Sequence, residues 1–167
     1  MAVSRGVRSA AIITAAVVVD RLTKLYIRAM FGPFDVYPVI PRIFNIVHTE
    51  NPGAAFGMLA DSGPWRAFVL VGISAIVMGA IAFLMWNPRA SHSRLTRVAL
   101  PLVFGGALGN MWDRVMRGTV TDFLQVFIGS YEFPSFNAAD SAITIGAGLL
   151  LIDLWRTRHD AGHVRQN

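Results

Sequence analysis

The chain has 167 residues, of which 54% are hydrophobic and 15% are charged, and it contains no cysteine. A soluble domain carries roughly 25% charged residues, so this composition excludes an ordinary water-soluble domain, and the length allows about one domain. The lack of cysteine excludes disulfide scaffolds, thiol enzymes and cysteine-based zinc sites. A membrane protein remains, and its net charge of +5 must be explained by the placement of the basic residues.

Four apolar segments are predicted to cross a membrane as helices, because a hydrocarbon core of about 30 Å needs about 20 apolar residues. The segment 67–86 contains no charged residue. The other three carry charged residues near one end, but none shows the polar face of a soluble amphipathic helix. The predicted spans are about 9–29, 67–86, 95–114 and 138–155.

The basic residues predict the orientation of these spans. The N-terminal residues, the 87–97 loop and the C-terminal tail together hold eight of the fifteen basic residues and two of the ten acidic ones. Arginine and lysine favour the cytoplasmic side, so both termini are predicted to be cytoplasmic. These basic residues have no aromatic residues interleaved with them, so we expect no nucleic-acid partner.

A cleaved signal peptide is an alternative for the first apolar stretch. However, Asp20, Arg21 and Lys24 follow it, and no small-residue cleavage site lies nearby. We therefore expect the first helix to be retained.

Two segments, 31–66 and 115–137, are predicted to lie on the outer face. The first contains five prolines and short β-type runs such as 42–47, which predicts a small β-type platform or lid on the membrane. The second contains a strand-like run at 119–128. No linker is evident, so residues 1–167 are expected to form one integral membrane domain, an α-helical fold with this platform.

Polar residues from four separate segments are predicted to meet at the outer boundary of the membrane. Ionisable residues within spans are costly, and by default they mark a functional site. Two simpler interpretations stay open: an ion pair between Asp20 and Lys24, and an ordinary helix cap formed by Asn137 and Asp140. The residues at this depth are Asp20, Asn110, Asp113, Arg114, Asp122, Asn137 and Asp140.

The residue types favour carboxylate chemistry, since G-x-S-x-G and H-E-x-x-H motifs are absent and the chain has a single lysine. Two close carboxylates share one proton, so the ionised member can activate water while the protonated member polarises a carbonyl. The candidates are Asp20, Asp113, Asp122 and Asp140, with no metal or cofactor expected. A proton-relaying transporter or channel subunit is an alternative, although transport sites usually lie at the midplane. A non-catalytic scaffold is another.

Five sequence blocks carry a resemblance to a known family. They are Asp20-Arg-Leu-Thr-Lys24, Asn51-Pro-Gly-Ala-Ala-Phe56, Gly105-Gly-Ala-Leu-Gly-Asn-Met-Trp-Asp-Arg114, Gly118-Thr-Val-Thr-Asp-Phe123 and Phe136-Asn-Ala-Ala-Asp-Ser141. In composition and order, these blocks closely resemble the signature blocks of lipoprotein signal peptidase (signal peptidase II). The glycines Gly105 and Gly109 also form a G-x-x-x-G pattern, which predicts close helix packing.

The resemblance implies an aspartyl endopeptidase of the bacterial cytoplasmic (inner) membrane. Such enzymes cut prolipoproteins immediately before the diacylglyceryl-modified cysteine, with the active site facing the outer side. The implied partners are lipidated prolipoproteins and membrane lipids, and a monomer is expected.

The resemblance also implies roles for individual residues. Asp122 and Asp140 match the catalytic dyad, and a further group matches positions that support the site or contact substrate: Asp20, Asn51, Gly53, Asn110, Arg114 and Asn137. Asp113 is interpreted as structural, tying the third span to the outer segment. Pro52 departs from the family pattern, which more often has threonine there. We expect Asp140 to be the more readily ionised member, because N–H groups at a helix start favour an anion.

Overall fold

The computed structural model describes residues 4–53, 65–87 and 93–164. These ranges contain α1 (Arg5–Met30), β1 (Val36–Ile40), β2 (Phe44–Asn51), α2 (Trp65–Trp86), α3 (Thr96–Arg117), β3 (Val120–Ile128), β4 (Tyr131–Glu132) and α4 (Ala138–Val164). Each predicted span overlaps one of the helices, and the predicted strand-like run coincides with β3. Residues 54–64 of the predicted platform lie outside the described residues.

Two of the helices are long and apolar enough to cross a membrane: Ala67–Trp86, with a mean hydropathy of 2.6, and Ala138–Arg158, with 1.4. The prediction of four spans also included α1 and α3, which do not meet this criterion because charged and amide side chains interrupt them. Several of those side chains are buried inside the bundle. Asp20, Lys24 and Asp113 have no exposed surface, whereas large apolar side chains on the same two helices are exposed.

The strands form a small antiparallel sheet in the order β1-β2-β3-β4. This agrees with the predicted β-type platform. Gly118, at a φ of 76°, ends α3, and its N–H donates to the carbonyl of Arg114. A left-handed glycine at this position lets the chain turn sharply out of the helix. The strand β3 therefore begins two residues later, directly beside the end of α3.

Helix α3 contacts each of the other three helices. The G-x-x-x-G glycines face α1: a Cβ on Gly105 would lie 2.8 Å from the Cβ of Ala16, and one on Gly109 would lie 2.6 Å from Asp20 Oδ2. The predicted close packing is thus confirmed, and it brings Asp20 against α3.

A buried ionic cluster joins α1 to α3. Lys24 Nζ lies 2.9 Å from Asp20 Oδ2 and 2.9 Å from Asp113 Oδ2. Arg21 Nη1 lies 2.5 Å from Asp113 Oδ1. The predicted pair of Asp20 with Lys24 is confirmed, but it is part of a larger cluster. Asp113 is bound by α1 rather than by the outer segment, because α3 packs directly on α1 at this level.

Substituting Lys24 by methionine should destabilise the protein strongly, since it leaves two buried carboxylates without their shared cation. Removing one partner of a buried ion pair costs about 3–5 kcal/mol, so the unfolding midpoint in detergent should fall by about 10 °C. Circular dichroism melting measures this. Arg158→Met removes an exposed basic charge from α4 and should move the midpoint by no more than about 2 °C. Equal midpoints for Lys24→Met and the unsubstituted protein would contradict the account.

Candidate active site

The carboxylates of Asp122 and Asp140 come from different elements and are connected by two side-chain amides. Asp122 lies on β3, and Asp140 lies in the first turn of α4. Asn137 Nδ2 donates to Asp122 Oδ1 at 2.7 Å and to Asn110 Oδ1 at 3.2 Å. Asn110 Nδ2 in turn donates to Asp140 Oδ1 at 2.7 Å. The structure thus brings together four residues that the sequence placed at one depth.

The environment of Asp122 favours its protonated form. Burial is the main cause, and it raises the pKa of Asp122 to about 6, with the negative charge of Asp140 adding to the rise. Hydrogen bonds from Asn51 and Asn137 and the charge of Lys24 act in the opposite direction. A carboxyl group with such a pKa can hold a proton at mildly acidic pH and release it near neutrality.

Asp140 belongs to a reciprocal cap at the start of α4. The backbone N–H of Asp140 donates to Asn137 Oδ1 at 2.9 Å, and the N–H of Asn137 donates to Asp140 Oδ2 at 3.2 Å. This is the capping-box arrangement, and the predicted cap is confirmed. The same two side chains also contact the Asp122 and Asn110 groups, so capping and site formation are not alternatives here.

Lys24 determines which way the Asn110 amide faces. Its ammonium group donates to Asn110 Oδ1 at 3.0 Å. An ammonium group is a donor with no acceptor, so the amide oxygen must face Lys24 and the amide NH2 must face Asp140. Lys24 was missed as a site residue; its i,i+4 spacing from Asp20 indicated an ion pair but gave no sign of the contact with α3.

Asp20 holds the start of α4 against α1. Its Oδ1 accepts from the backbone N–H of Ala139 at 3.0 Å, and its Oδ2 accepts from Lys24. Ala139 directly precedes Asp140, so the predicted supporting role of Asp20 has a clear geometric basis. A carboxylate at this position also satisfies one of the N–H groups that a helix leaves free at its first turn.

Asn51 reaches the site from the end of β2. Its Nδ2 donates to Asp122 Oδ2 at 2.9 Å, and its Oδ1 accepts from the N–H of Gly53 at 2.8 Å. Gly53 has a φ of 98°, a conformation that favours glycine. The turn Asn51-Pro52-Gly53 therefore fixes the amide with its NH2 directed at Asp122, and the ring of Pro52 restricts that turn further.

Arg114 lies near the two carboxylates without forming a direct ion pair with either. Its guanidinium group is close enough to interact electrostatically with Asp140 and Asp122. Within the described residues, its buried Nε atom has no hydrogen-bond partner. An unpartnered buried donor beside two carboxylates is a group that a bound substrate oxygen could satisfy.

A second polar network, which the sequence did not reveal, lies on the opposite face of the sheet. Glu50 accepts hydrogen bonds from Thr119 at 2.6 Å and Thr121 at 3.0 Å. Arg28 of α1 also donates to the Thr121 hydroxyl, at 2.7 Å. Successive side chains on a strand point to opposite faces, so the network anchors Thr121 while Asp122 faces Asn51 and Asn137.

The carboxyl group of Glu50 is held in its ionised form. Burial acts to raise the pKa of Glu50, but hydrogen bonds from Thr119, Thr121 and His48 and the charge of Arg117 outweigh it, so the pKa is lowered. The ion pair with Arg117 is 3.5 Å long and links β2 to the last turn of α3. This network holds the sheet against the helix bundle. The position of Asp122 depends on that contact, because Asp122 lies on β3.

No group of three or more histidine, cysteine, aspartate or glutamate side chains within the described ranges could hold a metal ion. Around Asp122 and Asp140, the groups described above are carboxyl groups, the amides of Asn51, Asn110 and Asn137, the Lys24 ammonium group and the Arg114 guanidinium group.

Comparisons with known proteins identify solved structures with a similar fold. Two solved structures, each described as a bacterial membrane enzyme determined by the in meso method, superpose on the chain. The structure at 2.3 Å resolution has a TM-score of 0.81 and 35% sequence identity, covering 92% of this chain and 90% of its own. The structure at 1.9 Å has a TM-score of 0.78 and 38% identity, covering 88% and 92%.

Sequence relatives and a family model all point to one family of peptidases. A lipoprotein signal peptidase from Solibacter usitatus (strain Ellin6076) is 45% identical over 149 residues, which cover 87% of this chain and 88% of the relative. One from Yersinia pseudotuberculosis (serotype O:1b, strain IP 31758) is 36% identical over 98% of this chain and 96% of the relative. The model of the family described as "Signal peptidase (SPase) II" matches residues 12–156. With most of its length matched, the chain belongs to the signal peptidase II family of peptidases.

Proposed function

We propose that the chain is an aspartyl endopeptidase that removes the signal peptide from diacylglyceryl-modified prolipoproteins, cutting just before the lipidated cysteine. The observation that supports this most directly is the pair Asp122 and Asp140, brought from a strand and a helix and bridged by Asn137 and Asn110. Residues 1–167 act as one integral membrane domain in this proposal. The names of the sequence relatives supply the class of substrate.

The proposed reaction uses the two aspartates in different protonation states. Asp122 begins protonated, which its burial favours, and Asp140 begins ionised, accepting from Asn110 Nδ2 and from the Asn137 N–H. Asp140 takes a proton from water as the water oxygen bonds to the scissile carbonyl carbon, and Asp122 gives its proton to the carbonyl oxygen. The product of this step is a neutral gem-diol.

The second step reverses the roles. The amide nitrogen takes the proton from Asp140, Asp122 takes a proton back from one hydroxyl group, and the C–N bond breaks to release an acid and an amine. The pair returns to its starting state with one shared proton. Arg114 is proposed to bind a substrate oxygen through its unpartnered Nε, while Asn51, Gly53 and Asp20 hold the reacting groups in place.

We also propose that all four helices cross the membrane, with both termini cytoplasmic and the two aspartates at the outer boundary of the inner membrane. The burial pattern of α1 and α3 supports this, because acidic side chains are buried while apolar side chains are exposed. Asp20 and Asp113 are fully buried, whereas Leu22 and Val115 are about 60% exposed. Lipid would cover those apolar side chains. A monomer is sufficient in this proposal, since every group named in the site belongs to one chain.

The isosteric variants Asp122→Asn and Asp140→Asn test the dyad. Each should reduce cleavage of a purified diacylglyceryl-modified prolipoprotein by about a thousandfold or more, because each removes an acid–base group from the reaction. Glu132→Gln changes an exposed carboxylate on β4 and should retain activity. Retained cleavage in either dyad variant contradicts the assignment. Failure of the unsubstituted protein to cleave would instead favour a transporter subunit or a scaffold.

The pH dependence of kcat/KM tests the proposed acid. Activity should fall as the pH rises through about 6, because Asp122 then loses the proton that it donates. Asn51→Ala removes a hydrogen bond that favours the Asp122 anion, so the pKa should rise and the alkaline limb should move to higher pH.

The matched control is Asn45→Ala, which removes an amide that bonds Gln125 at the other end of β2. Its alkaline limb should coincide with that of the unsubstituted protein. An Asn51→Ala limb that is unmoved, or displaced to lower pH, would exclude Asp122 as the acid. Because the two carboxyl groups are coupled, the measured limb belongs to the pair.

A further inference from the structure

A cavity of about 580 Å³ lies between the first turns of α1, the end of α2 and the start of α3. Its lining is basic, since four arginines of the described ranges contribute to it: Arg5, Arg8, Arg94 and Arg97. The side chains of all four are exposed. Four guanidinium groups around one cavity create a strong positive potential, which an anion with several oxygen atoms would neutralise.

Within the ranges that the structure describes, carboxylates form no ion pair of 4.0 Å or less with Arg5, Arg8, Arg94 or Arg97. Arg97 donates through Nε to the backbone carbonyl of Ser93, a neutral group. Thr96, which also lines the cavity, donates to Asp153 Oδ2 at 2.6 Å. The cluster is therefore available to an external anion.

The remaining lining distinguishes between types of anion. Apolar side chains from all three helices complete the cavity, including Ile12 of α1, Met85 of α2 and Val98 of α3. A small hydrated anion would gain nothing from these walls. An anionic phospholipid matches both parts, since its phosphate can bind guanidinium groups while its glycerol and acyl carbons cover the apolar side chains.

The cavity is remote from the aspartate pair. Thr96, in the cavity lining, forms a hydrogen bond with Asp153 of α4. Asp153 lies 13 residues after Asp140, which corresponds to about 20 Å along a helix. The cavity and the pair therefore lie near opposite ends of the helix bundle. In the proposed topology this end faces the cytoplasmic leaflet.

We propose that this cavity, lined by Arg5, Arg8, Arg94 and Arg97, is a binding site for an anionic phospholipid of the cytoplasmic leaflet. The site is separate from the proposed peptidase site, and its ligand is recognised by a phosphate group combined with an apolar body. Binding there would join the N-terminal turn of α1 to the start of α3 through one lipid headgroup.

Native mass spectrometry of the delipidated full chain tests this proposal. The probes are phosphatidylglycerol and phosphatidylcholine with identical acyl chains, titrated separately, with inorganic phosphate as a competitor. Phosphatidylglycerol should bind about tenfold more tightly than phosphatidylcholine, and the double variant Arg8→Gln/Arg94→Gln should lose that preference. The control Arg156→Gln/Arg158→Gln removes two exposed charges from α4 outside the cavity, and it should keep the preference.

Three results would overturn the proposal. Equal affinity for the two lipids would show that the cavity does not recognise anionic lipid. If both double variants lose the preference for phosphatidylglycerol equally, the preference comes from the general positive charge at this end of the helix bundle. Displacement of the lipid by inorganic phosphate would identify a free-anion site. Elution volume and helical circular dichroism establish that each variant is folded. Cleavage activity is measured separately, so the lipid-binding results can be interpreted even if the peptidase proposal fails.

Discussion

The ammonium group of Lys24 is fully buried, and three groups from two helices surround it: the carboxylates of Asp20 and Asp113 and the amide oxygen of Asn110. Placing such charges in a low-dielectric interior costs several kcal/mol for each ion unless they are paired. The carboxylates of Asp20 and Asp113 are the paired charges for Lys24, and Lys24 is the paired charge for both carboxylates. α1 and α3 are therefore held in one register, and the positions of Asn110 and of the start of α4 follow from it.

The site is built outward from this cluster by hydrogen bonds of defined direction. Lys24 orients Asn110, which presents its NH2 group to Asp140, while Asp20 binds the N–H of Ala139 and fixes the start of α4. The carboxyl groups thus differ in surroundings: Asp140 lies at a helix start, and Asp122 lies on a strand and is almost entirely buried. This difference is what would let one carboxyl group act as acid and the other as base.

Features that depend on local spacing could be predicted from the sequence. The cap formed by Asn137 and Asp140, the pair of Asp20 with Lys24 and the strand leading to Asp122 all involve residues a few positions apart. The meeting of Asp122 and Asp140 with Asn110 and Asn137 also followed, because the apolar segments predicted that their ends lie together. The resemblance to signal peptidase II then selected Asp122 and Asp140 from four candidates.

Features that depend on long-range register could not be predicted. Glu50 faces Thr121 across β2 and β3 because the register shifts between Ile46 and Thr49, and nothing in the local pattern specifies that irregularity. The contact of Arg28 with Thr121 similarly requires α1 to pack beside the sheet. The prediction that Asp113 ties the third span to the outer segment is wrong, because the packing of α3 on α1 places its carboxylate against Arg21 and Lys24.

Asp122 is proposed to hold the shared proton of the aspartate pair at mildly acidic pH. Infrared difference spectroscopy of the purified protein measures this directly through the carbonyl stretching band of a protonated carboxyl group. This band should be present at pH 5, disappear as the pH rises through about 6, and be absent from the Asp122→Asn variant. A band that persists unchanged in Asp122→Asn and is lost in Asp140→Asn would place the proton on Asp140 and contradict the account.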